Sequence, residues 1–371
     1  MNKIKKILFI LHVPPPVHGS SMVGQSIVKS KLINESFDCD FINLLVSRSI
    51  NDTGKWSFMK ILRFIGIWIQ LMVEIIKKKP EVCYLALSTT GLSFYKDVLL
   101  VFWLRVFRIK RVYHLHNKGI SKRQTNKVLR FLYQFVFKGA DVILLSSYLY
   151  KDIETFVPLS RVHICPNGIE DSFVNLKPRL ASSENPVKIL FLSNLIESKG
   201  VTVLLDACVI LQKKGIDFQC NFVGAEGDIG ETKFNEMVKQ HGMDGRVKYL
   251  GRKFGQDKQA VLADTDIFAF PTYYPNECFP LVLLEAMSAN IAVVSTFEGG
   301  IPDIIEDGVT GSLVPQRDVE IMAEKLEELI MHPALREQMG KAGRQKFKNE
   351  FTLEIFEHNL QEILKQISAR K

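Results

Sequence analysis

Short runs of β-branched and other apolar residues alternate along the whole chain with longer stretches in which apolar positions recur every three or four residues. Runs of four to six apolar residues read as strands covered on both faces, and the longer stretches read as helices laid against them. Strands are expected at 7–12, 41–45, 82–87, 111–116 and 142–146, with another at 162–165. Beyond residue 186 the alternation is cleaner, with strands at 188–193, 218–223, 247–250, 267–270 and 291–295 and helices at 200–213, 231–241, 256–263 and 281–289. Such repetition implies an α/β fold of parallel sheets with helices on both faces. From Asp318 onward the pattern is charged amphipathic helix, broken at Pro333 and near Phe351.

At 371 residues the chain exceeds one comfortable core and suits two domains. The polar segment 167–186, with its NGIED and ASSENP runs and Pro178, is the expected linker. The expected division is therefore an N-terminal domain at 1–175, a C-terminal domain at 176–350 and a crossover helix at 351–371. Ligands of open parallel sheets bind beyond the carboxyl ends of strands, so chemistry is sought in those turns.

Charge adds an asymmetry to this picture. The net charge is +8, yet residues 1–175 hold 25 Lys or Arg against 12 acidic residues, and the remainder holds 23 against 28. A basic domain suits an anionic partner. The stretch from Trp56 to Ile76 has an uncharged core, Phe64 to Val73, far short of the roughly 20 residues that span a bilayer. Lys55, Lys60, Arg63 and Lys77 to Lys79 surround its aromatic residues Trp56, Phe58, Phe64 and Trp68. A second run, Tyr95 to Arg111, sets Phe102, Trp103 and Phe107 beside Arg105, Arg108, Lys110 and Arg111. Two readings stand: core helices with solvated basic faces, or helices resting on an anionic membrane surface. No nucleic-acid-binding motif occurs, and nucleic acid is not an expected partner.

The opening MNKIKKILFILHVPPP is basic, but its apolar run reads as a strand ending in a proline-rich loop without a small-residue cleavage site, so no signal peptide is expected. Cys39, Cys83, Cys165, Cys208, Cys220 and Cys278 are scattered singly, which suggests neither disulfides nor zinc and fits a cytoplasmic location. Two D-x-D pairs, Asp38 with Asp40 and Asp264 with Asp266, abut strand starts without further acidic neighbours, and no metal is expected there.

The densest candidate chemistry lies at 271–315, PTYYPNECFPLVLLEAMSANIAVVSTFEGGIPDIIEDGVTGSLVP. A strand feeds a loop bearing Glu277, and Pro280 opens a helix carrying Glu285. Proline at a first helical position leaves the amides of Leu281 and Val282 directed out of the helix start, a favourable place for phosphate or a sugar hydroxyl. Spacing alone equally allows Glu277 to be an ordinary loop carboxylate and Glu285 a structural acid.

This run resembles the E-x7-E region of family 4 glycosyltransferases, retaining enzymes of the GT-B fold, through its EAM triplet, the EGGIP at 298–302 and the EDG-x-TG-x-L-V-P tail. The resemblance implies two Rossmann-like domains facing each other across a cleft, with C-terminal helices packing back toward the first domain. It implies that Glu285 grips the ribose hydroxyls of a nucleotide, that Glu277 meets the transferred sugar, and that the amides near Leu281 and Val282 hold the donor phosphate. FLSNLIESKGVTVLLDA at 191–207 resembles the family's phosphate segment, where an arginine and a lysine five residues apart neutralise a diphosphate. Lys199 is that lysine, whereas Asn194 stands at the arginine position. Arg252, Lys253 or the helix start at 281 are candidates for the missing charge.

Two further segments, FVGAEGD and YLGRKFG, resemble the turns bordering the nucleotide base, with Gly224 and Gly251 either near the base or ordinary strand-end turns. In the first half, PPPVHGSSMVGQS resembles a glycine-rich turn in which Gly19 matches and His18 replaces the first of two glycines. HLHN at 114–117 places His116 where the family carries a histidine close to the transferred sugar, with His114 deeper on the same strand face. Together these imply transfer of a hexose-type sugar from a nucleotide-diphosphate donor, UDP favoured, to a saccharide or lipid-linked acceptor, with no cofactor. A bacterial surface polysaccharide or glycolipid is the expected product. A GT-B sugar-nucleotide epimerase and a non-catalytic sugar-nucleotide-binding module are the alternatives.

Overall fold

Continuous apolar runs such as ILFIL at 7–11 are stable as strands only where both faces are covered. In the structure, a computed structural model describing residues 4–15, 17–44, 58–174 and 186–370 (backbone alone at 58–61), such runs line two parallel six-stranded sheets. One sheet belongs to a unit made of Met1–Gly168 and Leu353–Lys371, the other to a unit spanning Ile169–Thr352. The first division falls inside the segment 167–186, of which residues 175–185, including Pro178, lie outside the described residues.

The first unit runs β1 (Lys6–Leu11), α1 (Gly19–Lys29), α2 (Lys31–Ser36), β2 (Asp38–Asn43), α3 (Phe58–Lys78), β3 (Val82–Leu85), α4 (Gly91–Val106), β4 (Lys110–Leu115), α5 (Lys127–Phe137), β5 (Asp141–Leu144) and β6 (Val162–Ile164). Its strand order is β2-β1-β3-β4-β5-β6. The direction of winding reverses once, after β2, so right-handed crossovers put α3, α4 and α5 on one sheet face and α1 on the other.

The second unit runs β7 (Val187–Leu192), α6 (Val201–Lys213), β8 (Phe218–Val223), α7 (Glu231–Gln240), β9 (Val247–Tyr249), α8 (Gly255–Ala263), β10 (Ile267–Phe270), α9 (Leu281–Ser288), β11 (Ala292–Thr296), α10 (Ile301–Ile304), β12 (Gly311–Val314), α11 (Val319–Met331) and α12 (Pro333–Glu350). Its order, β12-β11-β10-β7-β8-β9, is that of a Rossmann sheet. β12 was not among the expected strands, because GSLV offers too little apolar sequence. It is buried by pairing with β11, where Gly311 lies opposite Val293 and a Cβ would fall 2.4 Å from the Val293 carbonyl oxygen.

The C-terminal helix α13 (Leu353–Ala369) belongs to the first unit, while α11 and α12 stay with the second, packed on α6 and α9. Phe356, Leu360, Leu364 and Ile367 of α13 share a buried cluster with Val23, Ile27 and Ile33 of α1 and α2 and with Phe9 and Tyr84 of the sheet. Burying four such side chains stabilises the unit by roughly 6–12 kcal/mol before chain entropy is counted. No helix among the described residues is long and apolar enough to cross a membrane.

Candidate active site

In the second sheet the winding reverses between β7 and β10, the position where open α/β sheets bind ligands. Lys199 follows β7 and Glu277 follows β10, and the two meet there: the Lys199 Nζ donates to Glu277 Oε2 at 2.5 Å. Two glycines fix this meeting. Gly200, at φ 93°, starts α6 so tightly against the end of β10 that a Cβ would fall 2.3 Å from the Pro271 carbonyl oxygen. Gly299, at φ 59°, lies under the Glu277 backbone, where a Cβ would fall 2.3 Å from its carbonyl oxygen. The backbone closes the arrangement, with Tyr273 N donating to Ser198 O at 2.8 Å and Gly300 N to Cys278 O at 2.7 Å. Glu277 is only 8% exposed. The ammonium of Lys199 also lies 4.4 Å from the ring centre of Tyr274, a cation–π partner that the sequence reading missed.

Pro280 is the N-cap of α9 and not, as expected, its first helical residue; Leu281 is. The consequence for the site is unchanged, because a proline at the cap supplies no side-chain acceptor. Among the described residues neither the Leu281 nor the Val282 amide has an acceptor, and both residues are half-buried. One turn further along α9, Glu285 accepts from the Nζ of Lys258 on α8 at 2.6 Å through Oε1. Its Oε2 is buried and has no hydrogen-bond partner among the described residues. A buried carboxylate oxygen in that state is an acceptor awaiting a donor such as a hydroxyl. No sequence signal identified Lys258, which meets Glu285 from a separate helix.

The remaining expected residues of this unit lie around the same sheet edge. Asn194 is half-buried in the loop after β7, and its carbonyl accepts from Ile196 N at 2.7 Å. Gly224 is demanded by packing alone, since a Cβ there would lie 1.8 Å from the Ser193 carbonyl oxygen. Gly251, at φ 67°, has open space around it. Arg252 is exposed, its guanidinium 4.3 Å from the ring centre of Phe254, and Lys253 is half-buried beside it.

In the first unit, four histidines gather at the carboxyl edge of the sheet. His114 is fully buried in β4, and Tyr84 OH lies 2.5 Å from its Nδ1. The ring of His116, one residue beyond the strand and partly exposed, lies 4.2 Å from that of His114. His18 caps α1: its Nδ1 accepts from Ser21 N at 3.3 Å, and its own amide donates to Ser21 Oγ at 2.9 Å. Gly19, by contrast, is exposed with nothing within 4 Å of a would-be Cβ. His12, after β1, faces His18 edge-on at 5.9 Å, and among the described residues neither its buried Nδ1 nor Nε2 of His114 has a hydrogen-bond partner. Burial pushes His116 down to about 4, helped by repulsion from His18. It pushes His12 down to about 3, helped by His18, His116 and Lys96. His116 is therefore a neutral imidazole at pH 7, fit to hydrogen-bond a sugar hydroxyl without carrying charge.

Asp38 pairs with Lys6 at 3.8 Å and Asp40 with Lys78 at 3.0 Å, while Asp264 takes Lys188 Nζ and Asp266 its amide. These D-x-D carboxylates are thus occupied by lysines, and no group among the described residues has metal-holding geometry. None of the six cysteines forms a disulfide.

Residues 173–346 match the family model described as glycosyl transferases group 1. The chain is 31% identical over 271 residues to the amylovoran biosynthesis glycosyltransferase AmsK of Erwinia amylovora, a match covering 71% of this chain and 66% of that protein, slightly under two thirds of its length. A glycosyltransferase structure from Rickettsia africae superposes with a TM-score of 0.73 at 18% identity, covering 100% of both chains. Anabaena Alr3699/HepE in complex with UDP and glucose does so with a TM-score of 0.71 at 19% identity, covering 97% of this chain and 99% of that one. The chain thus has the GT-B fold of two Rossmann-like units, and over residues 173–346 it is similar to the glycosyl transferases group 1.

Proposed function

We propose that the chain is a retaining, metal-independent glycosyltransferase that moves a hexose-type sugar from a nucleotide-diphosphate sugar, UDP favoured, to an acceptor hydroxyl in surface polysaccharide or glycolipid synthesis. The observation that carries this reading is the convergence of Lys199, Glu277, the open amides of α9 and the spare Glu285 oxygen on one switch point. The relative AmsK, named for amylovoran biosynthesis, supports the polysaccharide setting, and UDP in the Anabaena structure supports the nucleotide.

In this reading the second unit is the donor domain and the first the acceptor domain. Glu285 Oε2 accepts from a ribose hydroxyl, the Leu281 and Val282 amides and Lys199 hold the diphosphate, and Glu277 orients the sugar; His116, in the first unit, is assigned as a hydrogen-bond partner for a sugar hydroxyl. No carboxylate is assigned as a covalent nucleophile. The acceptor hydroxyl attacks C1 on the face the diphosphate leaves, the C1–O bond to phosphate breaks, and the departing phosphate oxygen takes the acceptor proton. The protein contributes positioning and charge stabilisation of the leaving group. Asn194 donates hydrogen bonds but no charge, so Arg252, Lys253 and the α9 amides complete the neutralisation.

The proposed acceptor is a saccharide or a lipid-linked saccharide, the latter placed at the inner face of the cytoplasmic membrane. A thermal-shift panel of nucleoside diphosphates and nucleotide sugars tests the donor, because a specific ligand stabilises only the native state. NMR of the product tests retention. An inverted anomeric centre would overturn the mechanism, and no shift with any nucleotide would overturn the donor site. Donor binding without transfer to any saccharide or polyprenyl-linked acceptor would favour a binding module, the reading that Asn194 encourages.

A further inference from the structure

The outer surface of the α3–α4–α5 layer is apolar where a water-facing helix layer carries charge. On α3, Leu62, Ile65, Ile69, Val73 and Ile76 are 40–58% exposed and form one stripe, while Ile67, Leu71 and Ile75 on the opposite side are buried. On α4, Leu92, Tyr95, Leu99, Phe102 and Val106 are 46–54% exposed, while Phe94, Leu100, Val101 and Leu104 are buried. Both stripes advance by threes and fours, so each follows a single helix face. The helices lie on the same side of the sheet, so the stripes point the same way. Trp68 of α3 and Trp103 of α4 meet between the two helices, their ring centres 6.1 Å apart. On α5, which packs beside α4, Val128 and Phe131 are 64% and 66% exposed. Apolar surface this continuous marks an interaction site.

Charge identifies the partner. Residues 58–138 carry 16 Lys or Arg against three acidic residues, Glu74, Glu81 and Asp97. Asp97 is buried, Glu81 pairs with Lys5 at 2.6 Å, and Glu74 is half-buried. Lys77, Lys79, Arg108, Lys127 and Arg130 are all exposed at the ends or flanks of the three helices. A second copy of this chain would bring an equally positive face and be repelled. A surface of phospholipid with acidic headgroups complements both features, taking the apolar stripes at the acyl boundary and the basic residues at the phosphates. No helix among the described residues is suited to crossing a bilayer, so the proposed contact is with its surface.

We propose that the α3–α4–α5 face is a docking surface for anionic phospholipid bilayers. It deepens the lipid-linked reading of the acceptor and rests on that reading only for its purpose. The loop opening α4 is tied to the acceptor edge of the sheet, with Thr89 N donating to Asn117 Oδ1 at 3.2 Å beside His116. Docking therefore brings the His116 loop close to the bilayer, where a lipid-linked saccharide need not leave it.

The test is flotation of the full chain with phosphatidylcholine vesicles, with and without phosphatidylglycerol. Binding is expected to the anionic vesicles only, falling at least about tenfold in high salt. The variants Ile69→Asp/Leu99→Asp and Lys77→Glu/Arg108→Glu change exposed side chains and should each lose about tenfold or more in partitioning. Their thermal melting and nucleotide-induced shifts should match the parent chain. Absence of flotation with either vesicle overturns the proposal, as does unchanged flotation of both variants. So does a dimer that the Ile69→Asp/Leu99→Asp variant dissociates without any vesicle binding, which would assign the face to a second copy. Transfer to a water-soluble acceptor is read separately: retained transfer without vesicle binding sinks the docking surface alone, and vesicle binding without transfer sinks the enzymatic reading alone.

Discussion

The ammonium of Lys199 and the carboxylate of Glu277 lie 2.5 Å apart although 78 residues separate them in sequence. Each side chain retains little exposure, 16% for the lysine and 10% for the glutamate. Without a donor they neutralise one another. A bound diphosphate would draw on the same ammonium, leaving Glu277 free to accept from sugar hydroxyls. Lys199→Ala and Glu277→Ala are each expected to lower kcat/KM by about 10²-fold or more. Lys199→Ala also strands a buried carboxylate, costing about 1–3 kcal/mol in urea unfolding, discounted for residual solvent. Transfer within a few-fold of the parent for either variant removes the pair from the site.

Glu285 and Lys258 separate two roles. Glu285→Gln replaces an acceptor oxygen with an amide, and should weaken nucleoside-diphosphate binding about tenfold by calorimetry. Lys258→Met keeps the free oxygen and removes only the neighbouring charge, so a loss of about threefold or less is expected. Equal losses would mean that the ion pair, and not the Oε2 acceptor, matters.

Asn194→Arg restores a cation at the end of β7, where the family pattern places one. Under the proposed function the donor KM should fall or kcat rise, by about tenfold in kcat/KM. An unchanged kcat/KM would show that neighbouring cations already supply the charge. Arg252→Ala and Lys253→Ala should then each lose at least as much.

The histidine cluster sets an acid limit. His12 and His116 are held neutral, at about 3 and about 4 against an ordinary 6.5. Folded values below the unfolded value mean that their stability contribution is complete above pH 6.5 and is lost as pH falls toward 4 and then 3. Asp97, raised by burial to about 6 from 3.8, acts oppositely between those values and offsets part of the loss. Chemical denaturation should show stability falling by about 2–4 kcal/mol from pH 7 to pH 4. His12→Gln should flatten that slope, and an unchanged slope would refute the assignment.

Much of the fold was legible because its signals are local. Runs such as ILFIL and VCYL can be stable only when covered on both faces, and the breaks at Pro333 and Phe351 separate the last three helices. The E-x7-E run, Lys199 and the strand-end histidines were likewise readable as residues in order. Which of them touch was not. The Lys199–Glu277 pair depends on Gly200 and Gly299 admitting close backbone contacts between separate loops. Lys258 reaches Glu285 from another helix, and β12 is a strand only because β11 supplies its partner. HLHN contains two histidines two residues apart, and only the end of β4 leaves His114 enclosed and His116 accessible. For α3 and α4 the sequence by itself determined amphipathic, basic-flanked helices; the sheet decided which apolar residues face inward and which remain at the surface. Periodicity and composition are properties of neighbours along the chain, whereas burial, pairing and exposure are set by what the folded backbone brings alongside.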